Sequence, residues 1–535
     1  MSVRKILLFI LFVLALLAMI GYFFPKEGMR LGSVKLNFRS TSDLFAPQKQ
    51  PTTAPDPEEQ LAMMAESFLK EKLEALADSI DYYEQFFRES PVRIHFPAND
   101  PSILDVFFAT LDSCRAQNRV VRVLHYGDSQ IEQDRLSATL RDGLQKIAGG
   151  MGVGLIPAVQ PIPSRTLRQD YEGNIRRYLL YGPSGLRAPH RRYGPMAAVC
   201  EVDNYAYLIV NALKRQDSDI SNHFTRIRLL LGNNSADFKA TIELKDRYET
   251  RKISEAGLDL KVISWELNRP ENSFSMFLNG TAEIYGILLD GNSGVAVDNI
   301  PMRGSSGNLF TGIDSRLLHA AYQAMDVQLF LLEFGGNRMP SIRSQEDIDS
   351  YVNVIGRQIR YLKTLVPGAQ VLFIGPADMS CSVDGVMQTY PLLEELIEGL
   401  KKVVLENGAA FWDLYQVMGG RNSMINWVNT QPPLAAPDYI HFTLKGADKI
   451  ADLLNENIAL CYTNYKFRNK HNLNDSSRLK LSSIELGYSD YAEEFEQLIR
   501  ENLSPGDSLP EDLDSESVLN EFLELLHKNT ERKQE

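Results

Sequence analysis

The sequence predicts an α/β fold of three layers, in which helices cover both faces of a doubly wound parallel sheet. Apolar runs at 120–124, 327–332 and 371–374 are typical of buried strands, and apolar residues at helical spacing follow them. This alternation favours parallel strands that are covered on both sides. Two further observations predict additions to the fold. Short strand-like runs at 165–292 indicate an inserted β-sandwich, and an apolar N-terminus indicates a transmembrane helix.

The N-terminal stretch at 6–24 is largely apolar and follows Arg4 and Lys5. Its length is close to the ~20 residues that a membrane-spanning helix requires. Because no small-residue cleavage site follows, residues 1–25 are predicted to be an uncleaved signal anchor. Residues 47–57 are rich in Pro, Thr and Gln, and residues 58–87 place apolar side chains on one helical face. We therefore expect a linker and a stalk helix at 26–95; a helix that binds a partner and a helix packed on the domain are alternatives for the same segment, and packing on the domain is the favoured one.

The α/β domain is expected in two parts, at 96–164 and 293–465. In the first part, the strand at 120–124 leads through Gly127-Asp128-Ser129 into a helical segment that closes at Gly149-Gly150. In the second part, helical spacing begins at Ile348, and Pro367-Gly368 separates that helix from the strand at 371–374. Residues 466–535 turn polar and acidic, which predicts a partly disordered tail.

The interruption at 165–292 carries strand-like runs at 205–210, 227–231, 238–244 and 274–288. Polar turns separate them, for example at 232–234 and at Asn279-Gly280. Several short strands in succession predict a β-sandwich.

Candidate catalytic residues lie at the predicted ends of strands. Ser129 follows the strand at 120–124 in a strand-to-helix turn, where the N–H groups of a helix N-terminus favour a developing oxyanion. Asp438 and His441 lie in one short segment and supply the carboxylate and the imidazole that a Ser-His-Asp triad needs. Asn337 follows the strand at 327–332, and open α/β sheets place their sites at such strand ends. A glycine-bearing loop at 298–307 offers a backbone N–H.

These four segments resemble the blocks of the SGNH (GDSL-type) hydrolase superfamily, which carry Ser, Gly, Asn and D-x-x-H in this order. The resemblance implies a flavodoxin-like sheet, with Ser129 as nucleophile, His441 as base and Asp438 as its orienting partner. It also implies an oxyanion hole formed by Ser129 N–H, Gly304 N–H and the Asn337 side chain. For the glycine, Gly294 and Gly307 lie close enough in the sequence to compete.

The chain is most similar to one branch, the peptidoglycan O-acetyl esterases and O-acetyltransferases and their relatives that act on envelope glycans. The stretches that carry this likeness are 125–131, 149–155 and 418–427. Members of this branch commonly carry an inserted β-sandwich of carbohydrate-binding type, in which Tyr205, Tyr248 or Trp265 could stack on sugar rings. For any single one of these aromatic residues, core packing is the favoured role. Gln130 and Arg338 depart from the branch pattern and leave its acyl and glycan preferences open.

The resemblance implies a serine esterase that removes O-acetyl or other short acyl groups from envelope glycan, peptidoglycan in particular, through an acyl-enzyme on Ser129. An O-acetyltransferase with the same triad is an alternative, and it would need a membrane-bound acyltransferase partner to deliver acetyl groups. A catalytically silent glycan-binding protein is the alternative from another class. The expected location is the inner membrane, with the catalytic domain in the periplasm.

Composition excludes other classes. The chain has 535 residues and a formal net charge of −13, which argues against nucleic acid as a partner. Its four cysteines lack the close spacing of metal sites, and His125 has no cluster of carboxylates and histidines around it in the sequence. We therefore expect no metal and no cofactor, and we expect His125 to be a structural neighbour of the nucleophile.

Overall fold

The computed structural model describes residues 3–23, 29–31, 34–36, 57–160, 162–215, 218, 222–471, 473, 494–495 and 497–498. The chain forms two compact units, one of residues 1–72 and 488–535 and one of residues 73–487. The predicted linker lies outside the described residues except for its last position, and so does nearly all of the predicted tail beyond residue 473.

The first unit contains helix α1 (Val3–Phe23), a short antiparallel pair of strands, β1 (Met29–Leu31) and β2 (Val34–Leu36), and the start of helix α2 (Pro57–Glu89). Within the described ranges, no helix combines the length and the apolar character that crossing a bilayer requires. The predicted N-terminal transmembrane helix is therefore not supported.

The second unit is built on a six-stranded sheet in the order β14-β4-β15-β16-β19-β3. Five of its strands are parallel, and the short edge strand β3 (Ile94–His95) runs antiparallel to β19. The parallel strands are β4 (Val120–Gly127), β14 (Gly294–Pro301), β15 (Val327–Glu333), β16 (Gln370–Ile374) and β19 (Ala410–Trp412). Numbered along the chain, the parallel strands have the order 2-1-3-4-5, which is the flavodoxin-like order, with a switch point between β4 and β15.

Side chains of each strand alternate between two apolar cores, because successive residues of a strand point to opposite faces. Val121 and Val123 of β4 pack in one core, and Leu124 and Tyr126 in the other. The first core is closed by helices α3 (Asp105–Ser113), α4 (Ser137–Ala148) and α10 (Leu444–Lys470). The second is closed by α5 (Ser315–Met325), α6 (Gln345–Leu365) and α7 (Leu393–Glu406). The predicted three-layer α/β/α arrangement with a doubly wound parallel sheet is confirmed.

Between β4 and β14 the chain forms a separate antiparallel sheet of nine strands. These strands are β5 (Gly154–Ile156), β6 (Leu167–Leu179), β7 (Ala198–Ala212), β8 (Phe224–Gly232), β9 (Phe238–Leu244), β10 (Arg247–Ile253), β11 (Lys261–Glu271), β12 (Ser273–Asn279) and β13 (Ala282–Asp290). The long strand β7 pairs with β12 at 205–211 and with β13 at 200–202, so hydrogen bonds join all the strands in one sheet rather than two.

The sheet curls around its own apolar core. Its two edge strands, β10 and β11, lie close to each other. The indole of Trp265 on β11 donates a 3.2 Å hydrogen bond to the Glu249 carbonyl on β10. Trp265 is fully buried in this core, so it cannot stack on a sugar at the surface. Tyr205 and Tyr248 are 46% and 67% exposed. The core-packing role is confirmed for Trp265 and does not apply to the two tyrosines.

A buried ionic cluster joins this sheet to the parallel sheet. Arg122 of β4 donates to Asp298 of β14 over 2.7 Å and to Asp290 at the end of β13 over 2.6 Å. Arg228 of β8 also binds Asp290, at 2.8 Å. Arg122, Asp290 and Asp298 are fully buried. Burial raises the pKa of Asp290, but the two guanidinium groups outweigh burial and hold that pKa below its ordinary value.

The glycine-rich stretch at 149–155 passes close to the ends of both sheets. Gly150 and Gly152 have φ angles of +130° and +80°. A Cβ atom at Gly150 would lie 2.2 Å from the Val295 carbonyl oxygen, and one at Gly152 would lie 2.0 Å from that of Leu289. Only glycine therefore allows the chain to pass here.

Candidate active site

The nucleophile turn leaves the parallel sheet at the C-terminal end of β4, at the switch point. Ser129 follows Asp128, whose Oδ1 accepts a 2.9 Å hydrogen bond from Gln130 N–H and closes the turn. A 3₁₀ turn at Glu132–Asp134 then separates Ser129 from α4, which begins only at Ser137. The prediction that Ser129 stands at the N-terminus of a helix is wrong, because this extra turn lies between the strand and the helix.

Ser129, His441 and Asp438 form a continuous chain of hydrogen bonds. Ser129 Oγ lies 2.8 Å from His441 Nε2, although the two residues are 312 positions apart in the sequence. His441 Nδ1 lies 2.7 Å from Asp438 Oδ2. With the proton on Nδ1, the imidazole donates to the carboxylate and Nε2 is free to accept the serine proton. The structure thus brings the three predicted triad residues together in the order that the chemistry requires.

The Asp438 carboxylate is held by its own loop as well as by the imidazole. Its Oδ1 accepts hydrogen bonds from the Ile440 and His441 N–H groups, both at 3.0 Å. Partial burial raises the pKa of Asp438, but the hydrogen bonds from the His441 N–H and imidazole outweigh it and keep the pKa below its ordinary value. Thr443 caps α10 by accepting a 3.2 Å hydrogen bond from Gly446 N–H. Asp438 therefore remains ionised and orients the imidazole from the loop that precedes α10.

Asn337 lies at the C-terminal end of β15 and lines the same cleft as Ser129 and His441. Its Nδ2 donates hydrogen bonds to Asp128 Oδ2 at 2.8 Å and to the Ser305 carbonyl at 3.2 Å. These bonds use both amide hydrogens. To donate a hydrogen bond to a reacting oxygen, the Asn337 amide must therefore break its bond with either Asp128 or the Ser305 carbonyl.

Unlike Ser129 and Asn337, Gly304 does not contact the cleft. It is exposed in the turn after β14, and it is absent from the described residues that line the cleft. Its neighbour Ser305 contacts Asn337 through the carbonyl. Gly294 lies at the opposite end of β14, and Gly307 packs against Phe334. The role of Gly304 in the oxyanion hole stays a prediction, whereas Gly336, which the sequence did not single out, does line the cleft.

The cleft beside Ser129 is small, with a volume of about 140 Å³. Its walls include Gly336, Pro340, Pro376 and Met379, which follow the ends of β15 and β16. Most of the wall is apolar, and the polar groups converge at Ser129 and His441. A short acyl group matches this size better than a long chain does.

Gln130, which the sequence marked only as a departure from the branch pattern, has a positioning role that sequence reasoning did not predict. Its Nε2 donates a 2.6 Å hydrogen bond to the Ile440 carbonyl, and its Oε1 accepts a 3.3 Å hydrogen bond from Phe442 N–H. These contacts hold the main chain on both sides of His441. Arg135 adds hydrogen bonds to the carbonyls of Ser129 and Phe442. The sequence signals were the position of Gln130 next to the nucleophile and its departure from the branch pattern, and neither of them indicates contacts with the histidine loop.

Beneath the nucleophile turn lies a buried polar layer. Burial and the nearby charge of Glu333 raise the pKa of Asp128 to about 7, although Gln130 N–H and Asn337 act in the other direction. His125 is fully buried between Ser137 Oγ at 2.8 Å and Glu333 Oε2 at 3.1 Å. These contacts agree with the predicted structural role of His125.

One cluster of side chains could offer three metal ligands among the described residues: His190, Glu201 and Glu283. Glu283, however, already accepts hydrogen bonds from Arg192, Asn233 and Tyr285. Because a guanidinium already neutralises the central carboxylate, these contacts favour a structural ion-pair network over a metal centre.

Comparison with known proteins agrees with the fold. No protein-family model and no curated protein matches the chain. Among solved structures, a peptidoglycan O-acetylesterase is 20% identical, with a TM-score of 0.56, and the match covers 67% of this chain and 96% of that one. A family two carbohydrate esterase from Cellvibrio japonicus is 9% identical, with a TM-score of 0.22 over 56% of this chain and 99% of that one. A carbohydrate acetylesterase from Sinorhizobium meliloti is 15% identical, with a TM-score of 0.22 over 31% and 78%. The chain thus shares the fold of the peptidoglycan O-acetylesterase, as the sequence resemblance implies.

Proposed function

We propose that this protein is an SGNH-type serine esterase that removes O-acetyl groups from a cell-envelope glycan, peptidoglycan in particular. The observation that carries the proposal is the chain of hydrogen bonds from Ser129 through His441 to Asp438, at 2.8 and 2.7 Å, at the switch point of the sheet. The shared fold with a peptidoglycan O-acetylesterase supports the choice of glycan.

In the first step, Ser129 Oγ attacks the acetyl carbonyl carbon while His441 Nε2 takes the hydroxyl proton. Asp438 stabilises the imidazolium that forms. The oxyanion accepts hydrogen bonds from Ser129 N–H and from the Asn337 amide, with Gly304 N–H as the third expected donor. The C–O bond to the sugar then breaks, and His441 returns its proton to the leaving sugar oxygen.

In the second step, water attacks the acetyl-serine ester. His441 takes a proton from the water, the oxyanion forms again in the same place, and Ser129 leaves as it regains its proton. The products are acetate and a free sugar hydroxyl. If a glycan hydroxyl replaces water in this step, the same residues perform acetyl transfer.

The size of the cleft argues for a short acyl group. A volume of about 140 Å³ between Pro340, Pro376 and Met379 accommodates acetyl without rearrangement. We expect turnover of p-nitrophenyl esters to fall from acetate to butyrate to octanoate. A maximum at octanoate would contradict the proposed acetyl preference.

The proposed substrate also implies a location. Glycans of this kind lie outside the cytoplasm, so we propose that the catalytic domain works in the periplasm. Fractionation of cells that express the full chain tests this, and recovery of the protein in the cytoplasmic fraction alone would contradict it.

The decisive experiment measures acetate released from O-acetylated peptidoglycan by the full chain. Ser129→Ala should abolish release, because loss of the nucleophile costs several orders of magnitude in kcat. Ser264→Ala, at an exposed serine of β11 that does not line the cleft, is the matched control and should retain full activity. A parallel assay with added glycan acceptor separates transfer from hydrolysis. No release and no transfer by a folded protein would favour the glycan-binding alternative.

A further inference from the structure

A second cavity, of about 350 Å³, lies on the other side of the nucleophile turn. It is formed by β5, β6 and β7 of the antiparallel sheet, the end of β14, and residues 132–134. Among the described residues, it has no lining residue in common with the cleft at Ser129. Its volume falls within the range of about 300–1,000 Å³ that is typical of small-molecule sites. The proposed esterase function does not use it.

The walls of this cavity are largely apolar. They are built from aliphatic side chains on both sides, including Val153, Leu155, Leu167, Leu179 and Met196. Among the described lining residues, Tyr181 is the single aromatic, and its hydroxyl donates a 3.3 Å hydrogen bond to the Pro301 carbonyl. A sugar ring would find few flat aromatic faces here, whereas an alkyl chain would fit the aliphatic walls.

The charged part of the lining consists of three arginines and two carboxylates, and Arg141 is already paired with Asp134 at 2.9 Å. Arg177 lines the cavity, and its hydrogen bond within the described residues is a long one, 3.4 Å to the Tyr181 hydroxyl. Most of the five guanidinium hydrogens of Arg177 are therefore available to a ligand. Arg303 also lines the cavity, and its ion pair with Glu132 is loose, at 3.6 Å. A ligand with an apolar body and an anionic head complements this arrangement.

The part of the wall nearest to Ser129 is conformationally strained and well anchored. Gln133 and Asp134 have φ angles of +64° and +61°, which non-glycine residues rarely adopt. Asp134 is held there by Arg141 at 2.9 Å and Thr166 at 2.6 Å. Such strain is often stored at functional sites. The cavity is consequently preformed, with a wall that other contacts keep in place.

We propose that this cavity binds a long-chain carboxylate, with the alkyl chain among the aliphatic walls and the carboxylate on Arg177. Each added methylene should tighten Kd about fourfold until the chain fills the cavity. An uncharged alcohol of equal length should bind less tightly, because it cannot form the charge-assisted hydrogen bonds that a carboxylate forms with a guanidinium.

The test is calorimetric titration of the full chain with hexanoate, octanoate, decanoate and dodecanoate below their micelle concentrations, with dodecanol as the uncharged comparison. Arg177→Gln should weaken dodecanoate binding about 10- to 100-fold. Arg176→Ala is the matched control, since this neighbouring arginine is exposed and lies over the Tyr178 ring. Ser129→Ala should leave binding unchanged, which separates this site from the esterase site.

A second variant does not depend on a buried substitution. Leu186 is exposed at the cavity, so Leu186→Asp should fold normally and weaken dodecanoate binding by charge repulsion. Leu258→Asp, at an exposed leucine that does not line the cavity, should have no effect. Binding that is absent, independent of chain length, or unaffected by both Arg177→Gln and Leu186→Asp would overturn the proposal. Phosphatidylglycerol vesicles test the alternative ligand. Vesicle binding that Leu186→Asp also removes would overturn the carboxylate in favour of a membrane lipid, whereas binding of dodecanoate without binding of vesicles supports the free carboxylate.

Discussion

Asn337 shows how a single side chain links the fold to the chemistry. It donates one amide hydrogen to the buried Asp128 and one to the Ser305 carbonyl, and it lies beside Ser129 in the cleft. The same amide that stabilises the turn is thus the expected side-chain donor to the oxyanion.

Asn337→Ala should lower turnover about 100- to 1,000-fold, because loss of one oxyanion donor raises the barrier by about 2.7–4 kcal/mol. It should also destabilise the fold by about 1–3 kcal/mol, since Asp128 loses a hydrogen-bond donor. Steady-state kinetics and urea unfolding measure the two effects. Asn426→Ala, at an exposed asparagine of helix α9 (Ser423–Asn429), is the control. Unchanged turnover in a folded Asn337→Ala protein would remove the proposed role.

Asp128 makes the stability of the protein depend on pH. Burial raises its pKa to about 7 in the folded state, above the unfolded value of about 3.9. Between these two values the folded state binds more protons, so the contribution of Asp128 to stability is fully present below pH 4 and is lost as the pH rises through 7. Its slope is at most about 1.4 kcal/mol per pH unit.

Asp128→Asn tests this dependence. The variant should become more stable relative to the wild type as the pH rises from 4 to 8, as measured by chemical unfolding at each pH. Asp384→Asn, at an exposed aspartate, should show no such trend. A stability difference between Asp128→Asn and the wild type that stays constant over this range would contradict the raised pKa.

At the level of structural elements, the proposed active site depends on contacts between two loops. The turn after β4 carries Ser129, and the loop before α10 carries His441. Gln130 spans the two through Ile440 and Phe442, and Arg135 connects the carbonyls of Ser129 and Phe442. The triad distances therefore depend on contacts that involve no triad side chain.

Gln130→Ala should lower kcat by up to about 100-fold and change KM little, because a displacement of about 1 Å in the imidazole can cost that much in rate. Gln130→Glu keeps the acceptor for Phe442 N–H but places an oxygen against the Ile440 carbonyl, and these two acceptors repel each other, so its kcat should also fall. Gln345→Ala, at an exposed glutamine of α6, serves as the control. A large rise in KM with constant kcat would indicate that Gln130 contacts substrate instead.

For the molecule as a whole, the buried cluster around Arg122 joins the parallel sheet to the antiparallel sheet within the unit of residues 73–487. Both sheets contribute to this cluster, since Asp298 lies on β14 and Asp290 ends β13. Separation of the sheets would expose or isolate these charges, so we expect them to unfold in one cooperative transition.

Arg122→Leu should destabilise the protein by about 3–5 kcal/mol, because it leaves two buried carboxylates without their shared cation. Urea unfolding of the full chain measures the loss. Arg269→Leu breaks exposed ion pairs with Asp246 and Glu271, which solvent screens, so it should leave the unfolding midpoint almost unchanged. An unchanged unfolding midpoint for Arg122→Leu would contradict a structural role for the cluster.

Much of the fold follows from patterns that are local in the sequence. Apolar runs followed by helical spacing predicted the parallel sheet and its two helical layers, because burial on both faces requires such runs. The resemblance of the segments around Ser129, Asn337 and His441 to known blocks identified the residues that the structure places in one cleft. The position of Ser129 was predicted less accurately, since the turn at 132–134 rests on distant contacts from Thr166 and Asn299.

Local patterns in the sequence were enough to predict the class of fold, the candidate triad residues and a β-rich insertion. The burial of Trp265, the contacts of Gln130 with the histidine loop and the second cavity near the nucleophile turn became visible only in the folded structure. Strand and helix periodicity depends on neighbouring residues, whereas these features depend on strand order and register, which bring together side chains that are distant in the sequence.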